Sequence, residues 1–353
     1  MLAPDSHSAP TTSHRQRFQV RPLLPGVMLC LAAAALSSGL SLLLPGISAL
    51  IIAIILGIIL TNVARLPAAL SPGLGFSSRQ LLRIGIVLLG LKLVLSDIVD
   101  LGVPLLVAII GIVTIGLFGT VLLGRVLRVS PHLTLLIACG FSICGAAAVV
   151  GAAGVTDPDD EAEKDTVTAV ALVVIFGTLL IPLLPLAANL LGLGEETAGM
   201  WAGGSVHEVA QVVAIGGALG PGALNAAVLV KLARVLLLAP VVSILSVRQR
   251  RIARDALTDG QSGSRGTLPP LVPPFIIGFL VMVLLRSFFA VPVPVLAVGD
   301  LLQTGLLAAT MFALGCGVKV RDLSRVGFRP FVLAALSTLL VMTVAFTGVT
   351  VVA

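Results

Sequence analysis

The residues best equipped for chemistry in this 353-residue chain stand together in "AGGSVHEVAQVVA", residues 202–214: Ser205, His207, Glu208 and Gln211. Almost every other side chain around them is aliphatic. An imidazole with an ordinary pKa near 6.5 can exchange a proton near neutrality or hydrogen-bond an anion, so His207 is a candidate for proton coupling and for ligand binding. Glu208 has two readings, and both stay open. Ser205-Val206-His207-Glu208 fits the S-x-x-E capping box, in which the carboxylate serves a backbone N–H. An acid among apolar residues is also a candidate proton carrier. Gln211 follows His207 by one helical turn, so on a helix the two share a face and can share a ligand. "HEVAQ" approaches the H-E-x-x-H zinc motif, but glutamine is a poor zinc ligand and no third donor stands nearby. No metal, cofactor or catalytic residue is expected.

A second stretch echoes the first. With "CGFSICGAAAVVGA" (139–152) set above "AGGSVHEVAQVVAI" (202–215), Gly140 falls on Gly203, Ser142 on Ser205, and Val149-Val150 on Val212-Val213. In each, glycines break an apolar run and a serine stands where a new helix can start. Glycine inside a helix costs about 1 kcal/mol relative to alanine, so paired breaks at matching positions ask for a reason. A helix that begins inside an apolar segment aims unpaired N–H groups, and about half a positive charge, at whatever lies beyond it. Two such starts form an anion site, with Gly140, Ser142, Gly145, Gly203, Gly204, Ser205, His207 and Gln211 as candidate binding residues. Glycines for close helix crossing are the alternative.

Lysines inside apolar segments are candidate supporting charges. Lys92 can pair with nearby Asp97 or lend positive potential to an anion path. Lys231 and Arg234 lie one turn apart, and at least one is expected to face the interior. "LLGLKLVLSD" (88–97) also echoes "GCGVKVRD" (315–322) in segments that the charge rule runs in opposite directions, the pattern of an inverted repeat.

These elements need an unusual solvent. Hydrophobic residues make up 58% of the chain and charged residues 11%, against roughly 25% charged in soluble domains. Runs such as "LVAIIGIVTIGLFGTVLLG" recur at lengths near the roughly 20 residues that span a bilayer. The expected fold is an all-α polytopic membrane protein, an inverted-repeat bundle of the secondary-transporter kind. It would carry two interrupted helices or re-entrant hairpins. Apolar segments fall near 23–44, 47–61, 80–99, 101–123, 132–154, 166–191, 199–219, 222–246, 271–288, 295–317 and 330–352. In chain order these give a disordered cytoplasmic tail (1–22), a first membrane block (23–246), a basic cytoplasmic linker (247–270) and a second membrane block (271–353).

The net charge of +6 sits in basic clusters at segment ends, where it acts as a topology signal rather than a nucleic-acid surface. Eleven full crossings satisfy that rule with an inside N-terminus. Nine crossings plus re-entrant hairpins at 132–154 and 199–219 satisfy it equally, because the acidic "TDPDDEAEKD" (156–165) does not report sidedness. Cys30, Cys139, Cys144 and Cys316 read as buried thiols.

The paired motifs resemble those of the YeiH-like (UPF0324) bacterial membrane proteins, a group described as sulfate exporters, over nearly all of 23–353. The resemblance implies an inner-membrane location and a small anion such as sulfate as cargo. Carried over residue by residue, it marks Gly140, Ser142, Gly145, Gly203, Ser205, His207, Glu208 and Gln211. Ala146 stands where the group often has a serine. No ATP-binding motif appears, so the expected activity is secondary anion transport with His207 or Glu208 coupling a proton. A cation/proton antiporter and an intramembrane enzyme are the alternatives. Anion identity, direction of transport and homo-oligomer formation are left open.

Overall fold

The computed structural model describes residues 21–43, 49–157, 162–258, 272–318 and 327–352. Most of the tail at 1–22, the linker from 259 on, and the Lys319–Asp322 part of the second echo lie outside them. The described residues are helical: α1 (Leu24–Leu43), α2 (Ala49–Val63), α3 (Ser71–Phe76), α4 (Leu82–Leu89), α5 (Leu95–Val99), α6 (Gly102–Val126), α7 (Pro131–Ser142), α8 (Ala146–Thr156), α9 (Glu163–Leu190), α10 (Glu195–Ser205), α11 (Val209–Leu219), α12 (Pro221–Leu236), α13 (Leu238–Thr258), α14 (Pro274–Phe288), α15 (Val293–Gly317) and α16 (Phe328–Val352).

Seven stretches among the described residues are long and apolar enough to cross a membrane. α2 and α14, at 15 residues each, cover about 22 Å, most of a hydrocarbon core. The outer faces are apolar: α6 exposes Val103, Val107, Ile110, Phe118 and Leu122, and α9 exposes Leu179, Leu183, Leu186 and Leu190. In water such stripes are a liability; against lipid tails they are the required outer face. The chain is a polytopic all-α membrane protein.

The third crossing departs from the expectation of 80–99. It runs as one continuous helical rod from Ala68 to Lys92, through α3, a π-helical turn at Ser77–Leu81, α4 and a 3-10 turn. The glycine-containing "SPGLGFSSR" lies within this rod, and Gly73 packs so closely on Gly26 of α1 that a Cβ at either would meet the other's backbone. Tertiary packing overrides local propensity there.

Packing sorts the helices into two groups that do not follow chain order. α15 lies along α2, α1 and α4, and α14 packs on α4. In the other group, α16 packs on α6 and α10, while α7, α9, α10, α11 and α12 pack on one another. Division at the basic linker therefore describes the chain, while in space the C-terminal helices are shared between both groups.

The two broken segments are hairpins. His132 at the start of α7 hydrogen-bonds Thr156 at the end of α8 (3.3 Å) and Asp165 at the start of α9 (3.3 Å). So α7 and α8 enter and leave on one side. α9 then travels 28 residues, about 42 Å, to the opposite end. There α10 begins, and α11 returns to it: Glu195 lies against Gly220 and Gly222. Nine crossings and two re-entrant hairpins, entering from opposite ends, are the arrangement of the described residues. Two basic clusters share the end of the α7/α8 mouth: Arg125 and Arg248 line one crevice with His132 and Thr156.

Candidate functional site

The hairpin tips meet in the middle of the bundle, and their breaks are equivalent in sequence. α7 and α10 end at Ser142 and Ser205, and α8 and α11 begin at Ala146 and Val209, the same 63-residue offset in each case. The echo between the two stretches therefore has the right register. The serines, however, finish the first half-helices and do not start the second ones. Val206 and Glu208 are extended (ψ 147° and 149°), so α11 starts three residues later than the Ser205-to-Glu208 box requires.

The capping box that forms is Glu208-x-x-Gln211. The Glu208 carboxylate accepts from the Gln211 backbone N–H, and Gln211 Oε1 accepts from the Glu208 N–H at 3.3 Å. His207 consequently sits in the extended link, off the helical face of Gln211. Glu208 also serves the other hairpin: its Oε1 accepts from the Ala146 N–H, the first residue of α8, at 3.2 Å. One carboxylate thus caps both half-helix N-termini. Gly145, with φ +76°, makes the turn into α8, and a Cβ there would run into the Glu208 side chain.

The opposite poles, the C-termini of α7 and α10, are met by two cations from α12. Lys231 Nζ donates to the carbonyls of Ile143 (2.8 Å), Val206 (2.9 Å) and His207 (2.6 Å). Arg234 Nη1 donates to Gly203, Gly204 and Val206 (2.9, 2.7 and 3.1 Å), Nη2 to Phe141 and Ser142 (3.1 and 2.9 Å), and Nε to Ser142 (3.3 Å). Both side chains are 0% exposed. Each half-helix end carries about half a charge, negative at the C-termini and positive at the N-termini. Two cations and one carboxylate against these poles leave the crossing about one unit positive.

His207 stacks on Phe141 across the tips, with ring centroids 4.3 Å apart. The Thr338 hydroxyl of α16 donates to Ala334 (2.9 Å), which leaves its oxygen to accept from His207 Nε2 at 3.2 Å. On that assignment, His207 Nδ1 is the free ring nitrogen, and it has no partner. Ser142 Oγ, Ser205 Oγ and Gln211 Nε2 are likewise buried without partners. Gly116 of α6 makes room for Ser142: a Cβ there would lie 2.7 Å from its hydroxyl.

The remaining sequence candidates take other places. Gly140 packs on Val149 and Val173, Gly203 on the backbone of Ala227, and Gly204 on Ala345. The glycine reading that favours close crossing holds for their Cα faces, while the Gly203 and Gly204 carbonyls bind Arg234. Lys92 does not pair with Asp97; it makes an ion pair with Asp300 of α15, because the 3-10 turn ending at Lys92 turns it toward that helix. Arg234 was marked only as one of two possible inward charges, although it bonds more of the crossing than any other side chain. Its i, i+3 spacing from Lys231 gave the face, but the carbonyls it meets lie 28 to 93 residues away. The four cysteines are buried and unpaired.

Two crevices flank the crossing along the boundary between the helix groups, and the third crossing lines both. One, about 550 Å³, lies at the basic end between Gln80, Arg83, Ile84 and Val87 and the α8 residues Gly154 and Val155. The other, about 400 Å³, opens at the opposite end between Leu88, Leu91, Lys92 and Asp300 and reaches Val209 of α11 and Leu232 of α12. These last two follow Glu208 and Lys231 in sequence, but neither of those buried residues lines the crevice.

Residues 25–334 match the family described as Conserved hypothetical protein 698. The chain is similar to a UPF0324 membrane protein of Corynebacterium glutamicum, 57% identical over 92% of this chain and 91% of that one. It is also similar to a UPF0324 membrane protein of Pseudomonas aeruginosa, 40% identical over 94% and 95% of the two chains. To the UPF0324 inner membrane protein YeiH of Escherichia coli K12 it is 38% identical over 82% and 81%. No solved structure matches.

Proposed function

The chain belongs to the UPF0324 membrane-protein family, and from that premise we propose that it is a secondary transporter of a small anion, sulfate or a close relative. It works by alternating access in the bacterial inner membrane, the location in the name of the YeiH relative. On the positive-inside rule we take the Arg125/Arg248 end, and with it the N-terminus, as cytoplasmic.

The observation that carries this reading is the positive crossing. Two fully buried cations, Lys231 and Arg234, outnumber the single carboxylate at a point where two discontinuous helices meet. A cation drawn to Glu208 would meet both of them, which disfavours the antiporter reading. Their donors are spent on backbone, so they act on cargo through the field, while Ser142, Ser205, His207 and Gln211 keep unused polar atoms for direct contact. Broken helices whose tips meet at mid-depth are the features of a transporter site. A proton on His207 Nδ1 would add a further donor and couple transport to the proton gradient.

The test is uptake of radiolabelled sulfate into proteoliposomes, with and without a pH gradient, for wild type and His207→Ala. The expected result is gradient-dependent flux that falls at least about tenfold in the variant, the loss of one charge-assisted contact. Absence of flux for sulfate, phosphate and nitrate from folded wild type overturns the reading.

A further inference from the structure

We propose that Glu208 is a tethered anion, built into the chain to hold the ligand's place between the two half-helix N-termini, and that a transported oxyanion binds by displacing it. The proposal rests on the anion-transport reading above and names how that site is filled when empty of cargo.

A helix cap ordinarily serves its own helix. Glu208 serves two, one of them 62 residues away in a hairpin that enters from the opposite end. The position it occupies is the one where both positive poles converge, and the two helices behind it are each 11 residues long. Hairpin α7–α8 is shaped around it, since only glycine at 145 leaves room for its side chain.

The donors at this position exceed what a carboxylate takes up. Gln211, whose amide oxygen already accepts from the Glu208 N–H, is 0% exposed and its Nε2 donates to nothing. A tetrahedral oxyanion presents four oxygens where a carboxylate presents two, so it can engage the N–H groups of Ala146 and Gln211 together with the spare Gln211 amide.

Displacement exchanges one anion for another at the same backbone donors, so the poles of α8 and α11 stay neutralised throughout. The charged and titratable groups facing Glu208 are Lys231 from α12 and Cys144 from the other hairpin. The cations keep their carbonyl partners during the exchange.

The experiment is equilibrium binding of radiolabelled sulfate to purified wild type and Glu208→Gln, with thermal unfolding measured for both at zero and saturating sulfate. With the competitor neutralised, Glu208→Gln is expected to bind sulfate at least about tenfold more tightly. Sulfate should also raise its unfolding temperature by more than it raises that of wild type, because the anion takes over the caps. Equal or weaker sulfate binding by folded Glu208→Gln, with wild type still binding, overturns this proposal and leaves anion transport standing. No binding of sulfate, phosphate or nitrate by either protein overturns both.

Discussion

The two cations of α12 are the residues on which the crossing depends. Lys231 and Arg234, three positions apart on one helix, make nine hydrogen bonds to seven backbone carbonyls. Each buried carbonyl left without a donor costs about 1–3 kcal/mol. Lys231→Met orphans Ile143 and His207 outright, so the variant is expected to lose about 3 kcal/mol or more of stability. Thermal unfolding in detergent, followed by size-exclusion chromatography, measures this. Arg234→Lys keeps the charge but not the planar fork that spans both helix ends, and it should not restore the stability lost in Arg234→Met. If Arg234→Lys unfolds like wild type, charge alone is sufficient and the carbonyl geometry is incidental. This role was half legible beforehand: two cations one turn apart in an apolar segment announce a buried face. What that face meets is a matter of long-range contact, and no local pattern contains it.

At the scale of elements, re-entrance explains how two apolar stretches of adequate length fail to cross. Each is split by a three-residue link, a turn at 143–145 and extended backbone at 206–208, and each returns to the end where it entered. Cysteine pairs at His132 with Thr156, and at Glu195 with Gly222, are therefore expected to join through a short bifunctional thiol reagent. The background should lack Cys30, Cys139, Cys144 and Cys316. In an eleven-crossing arrangement the members of each pair would be about 30 Å apart, and neither link would form. The breaks themselves were visible as glycine-serine pairs in a shared register. Their capping was not, because Ser205-x-x-Glu208 and Glu208-x-x-Gln211 are both acceptable boxes. The extended backbone at Val206 and Glu208 chose between them.

For the molecule as a whole, the third crossing separates two crevices between Val87 and Leu88, and the hairpins lie across the boundary from it. On the proposed transport function, passage through the crossing requires the helix group carrying α7–α12 to move against the group carrying α1, α2, α4, α14 and α15. Val213→Cys and Leu296→Cys face each other across the crevice at the Lys92 end. Cross-linking them is expected to lower sulfate flux at least about tenfold, with recovery on reduction, since closure of that crevice would be locked at one width. Undiminished flux through the linked protein would mean that the two groups do not move along this boundary.

Composition and segment length alone determined that the chain lives in a bilayer, because apolar runs of that length have no stable place in water. The matching glycine-serine breaks likewise marked the two points in the chain where the hairpin tips form. Only the tertiary structure decided that the broken segments are hairpins, since acidic residues in a connecting loop do not report which side of a membrane they occupy. It also decided that Glu208 caps two helices and that Arg234 binds two helix ends. Those bonds join parts of the chain dozens of residues apart, and they exist only once the two tips have been brought together.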